Sequence, residues 1–107
     1  MYEVYLTDNA LRDLEEIDDC IAAADSPQRA EYVLGKIEEA FLSLSRMPER
    51  GNYPRELLTL GIKEYREVFF KPYRIVSRAQ DKRVYVYLIA DGRRDMQTLL
   101  SRRLLGA

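Results

Sequence analysis

The chain has no histidine, no tryptophan and a single cysteine, Cys20, in 107 residues. Without histidine, the usual zinc-hydrolase, Ser-His and Cys-His chemistries lack their central group. One thiol can neither close an intramolecular disulfide nor build a cysteine-rich metal site, so neither a metal nor a cofactor is expected. Five glycines and four prolines are too few to suggest a disordered or low-complexity chain. No apolar run approaches membrane-spanning length, and the N-terminus lacks the basic, apolar, small-residue succession of a signal peptide. The expected location is the cytoplasm, with no membrane partner.

What is present has a globular profile, 47% apolar and 33% charged, in a length that fills one core and not two. A single domain over residues 1–107 follows. The net charge of −1 conceals a division: residues 1–49 hold twelve acidic against four basic side chains, a balance of −8, and residues 50–107 hold six against thirteen, a balance of +7. Such polarity suits either an acidic helical layer balanced by a basic one or a basic face meant for an acidic partner.

"MYEVYLT" alternates and is rich in β-formers, predicting a short strand through Leu6. Thr7 or Asp8 suits an N-cap, and Ala10, Leu11, Leu14, Ile17 and Ile21 form a helical stripe that ends near Ala24. Ser26 and Pro27 suit the cap and first position of a second helix, whose stripe runs from Ala30 to Leu44 and stops before Met47-Pro48. Residues 47–61, with two prolines and two glycines, read as a connecting loop containing one helical turn at Arg55–Leu58. Three strands are then expected at Lys63–Phe70, Tyr73–Arg78 and Val84–Ala90, linked by Lys71-Pro72 and by "AQDKR" into an antiparallel meander. After the turn "DGRRD", Met96, Leu99, Leu100 and Leu104 can share one side of a short helix. The fold class is α+β: an N-terminal strand, an α-helical hairpin packed on one face of a small, mostly antiparallel sheet (β-α-α-β-β-β), and a short C-terminal helix.

The stretch "YREVFFKPYRIV" places arginine beside tyrosine twice, at Tyr65-Arg66 and Tyr73-Arg74. Strand alternation sets Arg66 with Val68 and Arg74 with Val76. A tight hairpin at Lys71-Pro72 opposes Phe70 to Tyr73, Phe69 to Arg74 and Arg66 to Ser77. Arginine keeps its charge, so at least one of these guanidiniums is expected at an open polar surface. Arg93 and Arg94, after Asp91-Gly92, can swing toward it, where guanidiniums clamp phosphates or carboxylates. The structural alternative pairs them with Asp91, Asp95 or Glu67 to stitch the turn. Taken singly each arginine favours that role; taken as four they favour a binding surface.

The element order, "YREVFFKPYRIVSR" and the closing "VYVYLIADGRRDM" resemble toxins of bacterial type II toxin–antitoxin systems, the RelE/ParE superfamily, over nearly the whole chain. The resemblance implies a compact toxin neutralised by a cognate antitoxin whose C-terminal segment wraps it. One branch, RelE-like, cleaves mRNA on the ribosome; the other, ParE-like, is associated with poisoning DNA gyrase. Cleavage by a 2′-OH needs a base, an acid and cations for the pentavalent phosphate. Arg66, Arg74, Arg93 and Arg94 could supply the cations, and Asp91 or Glu67 a base. RelE-like nucleases commonly carry a tyrosine or histidine in or just before the C-terminal helix, and Met96–Ala107 has neither; Tyr85 or Tyr87 would have to approach from the strand. An inhibitor by protein contact needs only a shaped surface, for which the four arginines, Leu99, Leu100, Arg102 and Arg103 are candidates. For this tail, an ordinary amphipathic helix docked on the sheet is the competing reading. The sequence therefore favours a ParE-like gyrase inhibitor with no chemistry of its own. The alternatives are a ribosome-dependent mRNA endoribonuclease and a non-toxic remnant that binds antitoxin.

Overall fold

Both caps read from the sequence start helices in a computed structural model of the chain, which describes residues 1–106. Thr7 Oγ1 accepts the Ala10 N–H at 3.1 Å and opens α1 (Asp8–Ala24). Ser26 Oγ accepts the Arg29 N–H at 3.1 Å, with Pro27 as the first residue of α2 (Pro27–Leu42). Each hydroxyl satisfies an amide that has no partner in the first helical turn. Beyond Leu42 the helix tightens into a 3₁₀ turn at Ser43–Ser45. The remaining elements are β1 (Glu3–Leu6), α3 (Arg55–Leu58), β2 (Arg66–Phe70), β3 (Tyr73–Gln80), β4 (Arg83–Asp91) and α4 (Met96–Leu105). Among the described residues, no helix is long and apolar enough to cross a membrane.

The sheet order is β1-β4-β3-β2, with β1 parallel to β4 and the other pairs antiparallel. The β2–β3 hairpin has the register read from the sequence, Phe70 opposite Tyr73, Phe69 opposite Arg74 and Arg66 opposite Ser77. Asp81 and Lys82 join β3 to β4 with φ of 54° and 62°, the two positive values that let a two-residue turn follow the strand twist. Between β3 and β4 the register shifts: Val76 faces Leu88 and Ser77 faces Val86, so Tyr87 is the extra residue of a bulge. Strand β2 begins at Arg66, three residues later than expected. The Ile62 N–H is held by the Leu57 carbonyl at 3.0 Å, and the side chains of Ile62 and Tyr65 pack on a core rather than continue the ladder.

Two apolar clusters lie on opposite sheet faces. Under the helical hairpin, Ala10, Val33, Ile37 and Phe41 meet Val68, Ile75, Val86 and Ile89. On the other face, Leu57 of α3 with Met96 and Leu100 of α4 meets Val76, Leu88 and Ala90. Leu57, Leu88 and Leu100 are each 1% exposed, and burying a leucine side chain contributes about 1.5–3 kcal/mol. The short helices α3 and α4 thus cover part of the second face and frame what remains open.

Candidate binding surface

The alternation that builds the sheet separates the two Tyr-Arg pairs. Arg66 shares a strand face with Val68, toward the helices, while Arg74 shares one with Val76 in the second cluster. Tyr73 accordingly packs in the first core and Tyr65 in the second. The repeat therefore starts its two arginine side chains from opposite faces of the sheet.

Arg74 is 7% exposed. Its Nε and Nη2 donate to Glu67 Oε1 and Oε2 at 3.1 and 2.7 Å, and its Nη1 and Nη2 donate to Glu56 Oε2 and Oε1 at 2.9 and 2.7 Å. Hydrogen bonds from Arg74 hold the Glu56 carboxyl below the usual range against the opposing effect of burial. The same contacts, those to Glu56 foremost, push the Arg74 guanidinium further from deprotonation. A buried charge is stable only when paired and hydrogen-bonded, and here one cation serves two anions. Arg74 is therefore not the one of the two guanidiniums that meets an open surface: its donors are spent within the protein.

Arg66 lies 4.1 Å from the Tyr53 ring centroid and donates to the Tyr53 hydroxyl at 3.1 Å and the Gly51 carbonyl at 3.4 Å. Arg93 grips Asp91 through Nε and Nη2, the shortest contact 2.6 Å, while 79% of its side chain is exposed. That grip lowers the Asp91 pKa, mainly through the hydrogen bonds. Arg94 and Arg102 are exposed and make no ion pair among the described residues. Of the four arginines expected together, Arg74 and Arg93 line a groove of 760 Å³ with Arg55, Lys71, Tyr53 and Phe69; Arg94 lines a smaller one of 210 Å³ beside Asp13, Glu16 and Tyr73. Arg66 reaches the large groove only through its contact with Tyr53.

In the tail, the docked-helix arrangement holds for Leu100, which is buried, and Leu99, which packs at the edge of the same cluster. Arg103 is also committed: it donates to both Asp13 oxygens at 2.8 and 3.1 Å and to the Tyr87 carbonyl at 2.8 Å. Asp13 Oδ2 accepts the Ile89 N–H at 2.9 Å as well. Because β1 stops pairing at Val86, this stretch of the β4 edge would otherwise lack partners. Asp13 and Arg103 supply them and tie α4 to α1.

The side chains of Tyr85 and Tyr87 do not join the arginine groups just described, where Tyr87 contributes only its carbonyl, to Arg103. Tyr85 stacks with Tyr5 at 5.7 Å and Tyr87 sets its edge against Tyr65 at 5.6 Å, with Arg78 over Tyr65. Burial raises the Tyr87 pKa, which disfavours its loss of a proton. Sequence reasoning missed Glu56, Tyr53, Lys71 and Asp13. Glu56 sits in the anticipated helical turn, but no spacing rule links it to a strand residue 18 positions on.

A helical hairpin on a four-stranded sheet, with a parallel N-terminal strand and short helices on the second face, is the toxin fold of the RelE/ParE superfamily of type II toxin–antitoxin systems. A family model described as the ParE toxin of the type II toxin–antitoxin system parDE matches residues 4–96, and the chain belongs to that family. The solved structure of a chromosomal ParDE toxin–antitoxin system from P. aeruginosa is similar, with a TM-score of 0.71, 19% identity, and coverage of 85% of this chain and 96% of that one. The toxin–antitoxin complex RelBE2 from Mycobacterium tuberculosis gives a TM-score of 0.54, 28% identity, and coverage of 84% and 90%. No curated protein matches the sequence.

Proposed function

We propose that this toxin, when free of a cognate antitoxin in the cytoplasm, inhibits DNA gyrase by protein contact and performs no chemistry of its own. The observation that carries the reading is the state of Arg74. A ribonuclease of this fold needs guanidiniums free to meet a phosphate as its charge grows, yet the one at the groove floor is bound to Glu56 and Glu67. The ParE family match supports the same branch. A cognate antitoxin as partner is supported by the two similar structures, both of them toxin–antitoxin systems or complexes.

The experiment sets purified protein against two targets. In gyrase supercoiling reactions the toxin should inhibit; in a translation system with mapped mRNA ends the messages should stay intact. Codon-positioned cuts with unaffected gyrase would reverse the assignment in favour of a ribosome-dependent endoribonuclease. Inactivity in both, with antitoxin binding retained, would identify a non-toxic remnant.

A further inference from the structure

Beyond the part of the second sheet face that α3 and α4 cover, the strands carry a row of aromatic rings. Val84 and Val86 belong to the first core, so Tyr85 between them stands on the opposite face, as does its β1 partner Tyr5. Tyr5 stacks on Tyr85 with centroids 5.7 Å apart and planes 23° from parallel. Tyr85 meets Tyr87 at 6.4 Å, and Tyr87 meets Tyr65 at 5.6 Å. The bulge re-aims Tyr87 so that it and Leu88 both serve the second face. None of the four rings is fully buried, and Tyr5 is 41% exposed.

Cations border the row. Arg78 is the β3 partner of Tyr85 and lies 5.9 Å from the Tyr65 ring centroid, and Arg83 stands two residues before Tyr85 on β4. Both therefore rise from the face that carries the rings. Arg83 lines a 320 Å³ hollow with Tyr85, Tyr87, Gln80 and Asp81. Lys82 sits in the adjoining turn, and none of these three cations forms an ion pair among the described residues. The carboxylates at this end are Glu3, which accepts the Tyr5 hydroxyl at 3.0 Å, and Asp81 in the turn.

We propose that the tyrosine row takes a short stretch of single-stranded DNA, whose bases stack on the rings and whose phosphates meet Arg78 and Arg83. Aromatic side chains on a sheet face, edged by guanidiniums, suit unpaired bases, because each base offers a flat face and carries a phosphate beside it. In a duplex those faces are already stacked. A proline-rich peptide would use the rings and leave the cations without counterions. The choice of DNA over RNA rests on the reading that the toxin acts on gyrase, an enzyme that holds DNA. Gyrase does not enter the test, so the two can fail separately.

The probe is a fluorescein-labelled oligothymidine of about ten nucleotides, titrated with the full-length protein and followed by anisotropy. Saturable binding that weakens as salt rises is expected. With no tryptophan in the chain, intrinsic emission comes from tyrosine, and the unlabelled oligonucleotide should quench part of it. The double variant Tyr5→Leu, Tyr85→Leu should bind at least tenfold more weakly, while Tyr5→Phe, Tyr85→Phe, which keeps the rings, should bind as the parent does. Arg83→Glu, at an exposed position, should weaken binding about tenfold and flatten its salt dependence. Circular dichroism should report an unchanged fold for the phenylalanine and Arg83→Glu variants, so the test stands even if the leucines loosen the sheet. Absence of binding, binding unaffected by Arg83→Glu, or loss of binding in the phenylalanine variant would overturn the proposal. So would tighter binding of the matching duplex or of a uridine RNA of equal length, or displacement of the oligonucleotide by a proline-rich peptide.

Discussion

Arg74 and Glu56 are joined by two parallel hydrogen bonds, Nη1 to Oε2 at 2.9 Å and Nη2 to Oε1 at 2.7 Å, across 18 residues of sequence. Glu67 holds the same guanidinium from the neighbouring strand. The cluster therefore pins the α3 turn to the β2–β3 hairpin, and its removal should be felt as stability first. Arg74→Ala leaves two poorly solvated carboxylates facing each other and should cost about 3–5 kcal/mol, read as a lower urea midpoint. Combining Arg74→Met with Glu56→Gln and Glu67→Gln should recover much of that loss, because no buried charge is then left without a partner. A triple variant as unstable as Arg74→Ala would show that the volume of arginine, rather than its charge, matters here.

The same cluster sets an acid limb. Arg74 lowers the Glu56 pKa in the folded protein, so between that value and the unfolded one, about 4.3, the unfolded chain binds more protons. Stability from this group is complete above the unfolded pKa and is lost as pH falls through the folded pKa. Asp91 and Asp95, lowered by hydrogen bonds from Arg93 and Thr98 respectively, act in the same direction. Urea unfolding followed from neutrality down to about pH 3 should show falling stability, and Glu56→Gln should flatten that slope while lowering the plateau near neutrality. An unchanged slope in the variant would remove Glu56 from the account.

The elements were legible in the sequence because each rests on local chemistry. Ser26-Pro27 starts α2, Lys71-Pro72 fixes the hairpin register, and the turn at Arg55–Leu58 stands where it was read. The opposite placement of Arg66 and Arg74 was already implicit in that register, since cross-strand partners share a face. The fates of the side chains were less visible. Whether Arg74 meets solvent or a carboxylate depends on where α3 docks, and whether Arg103 is free depends on Asp13, 90 residues away. Long-range pairs of this kind leave no periodicity, so the sequence supplied the cations of the candidate surface without their counterions.

Two glycines should respond in opposite directions to the same substitution. Gly51 has φ 102°, and a Cβ there would stand 2.0 Å from the Glu67 carbonyl oxygen. Gly51→Ala therefore meets both backbone strain and a clash with main chain, and should cost about 2 kcal/mol or more. Gly35, within α2, would place its Cβ with nothing within 4 Å. Gly35→Ala should raise stability by about 0.5–1 kcal/mol, because alanine has less freedom to lose in a helix. Thermal unfolding of the two variants decides the matter, and a destabilised Gly35→Ala would mean that the α1–α2 surface requires the glycine for another reason.

Arg94 and Arg102 separate partner contact from folding better than the other candidate residues do. Both are exposed and free of ion pairs among the described residues, so alanine at either should change stability by less than about 0.5 kcal/mol. If the basic half of the molecule meets gyrase, each change should weaken inhibition of supercoiling several-fold at an unchanged urea midpoint. Leu100, 1% exposed in the second core, provides the contrast: Leu100→Ala should cost about 2–5 kcal/mol and lose activity only in proportion to the fraction unfolded. Full inhibition by a doubly substituted Arg94→Ala, Arg102→Ala protein would exclude these two cations from the target contact and turn attention to Arg55, Lys71 and Arg93 around the groove.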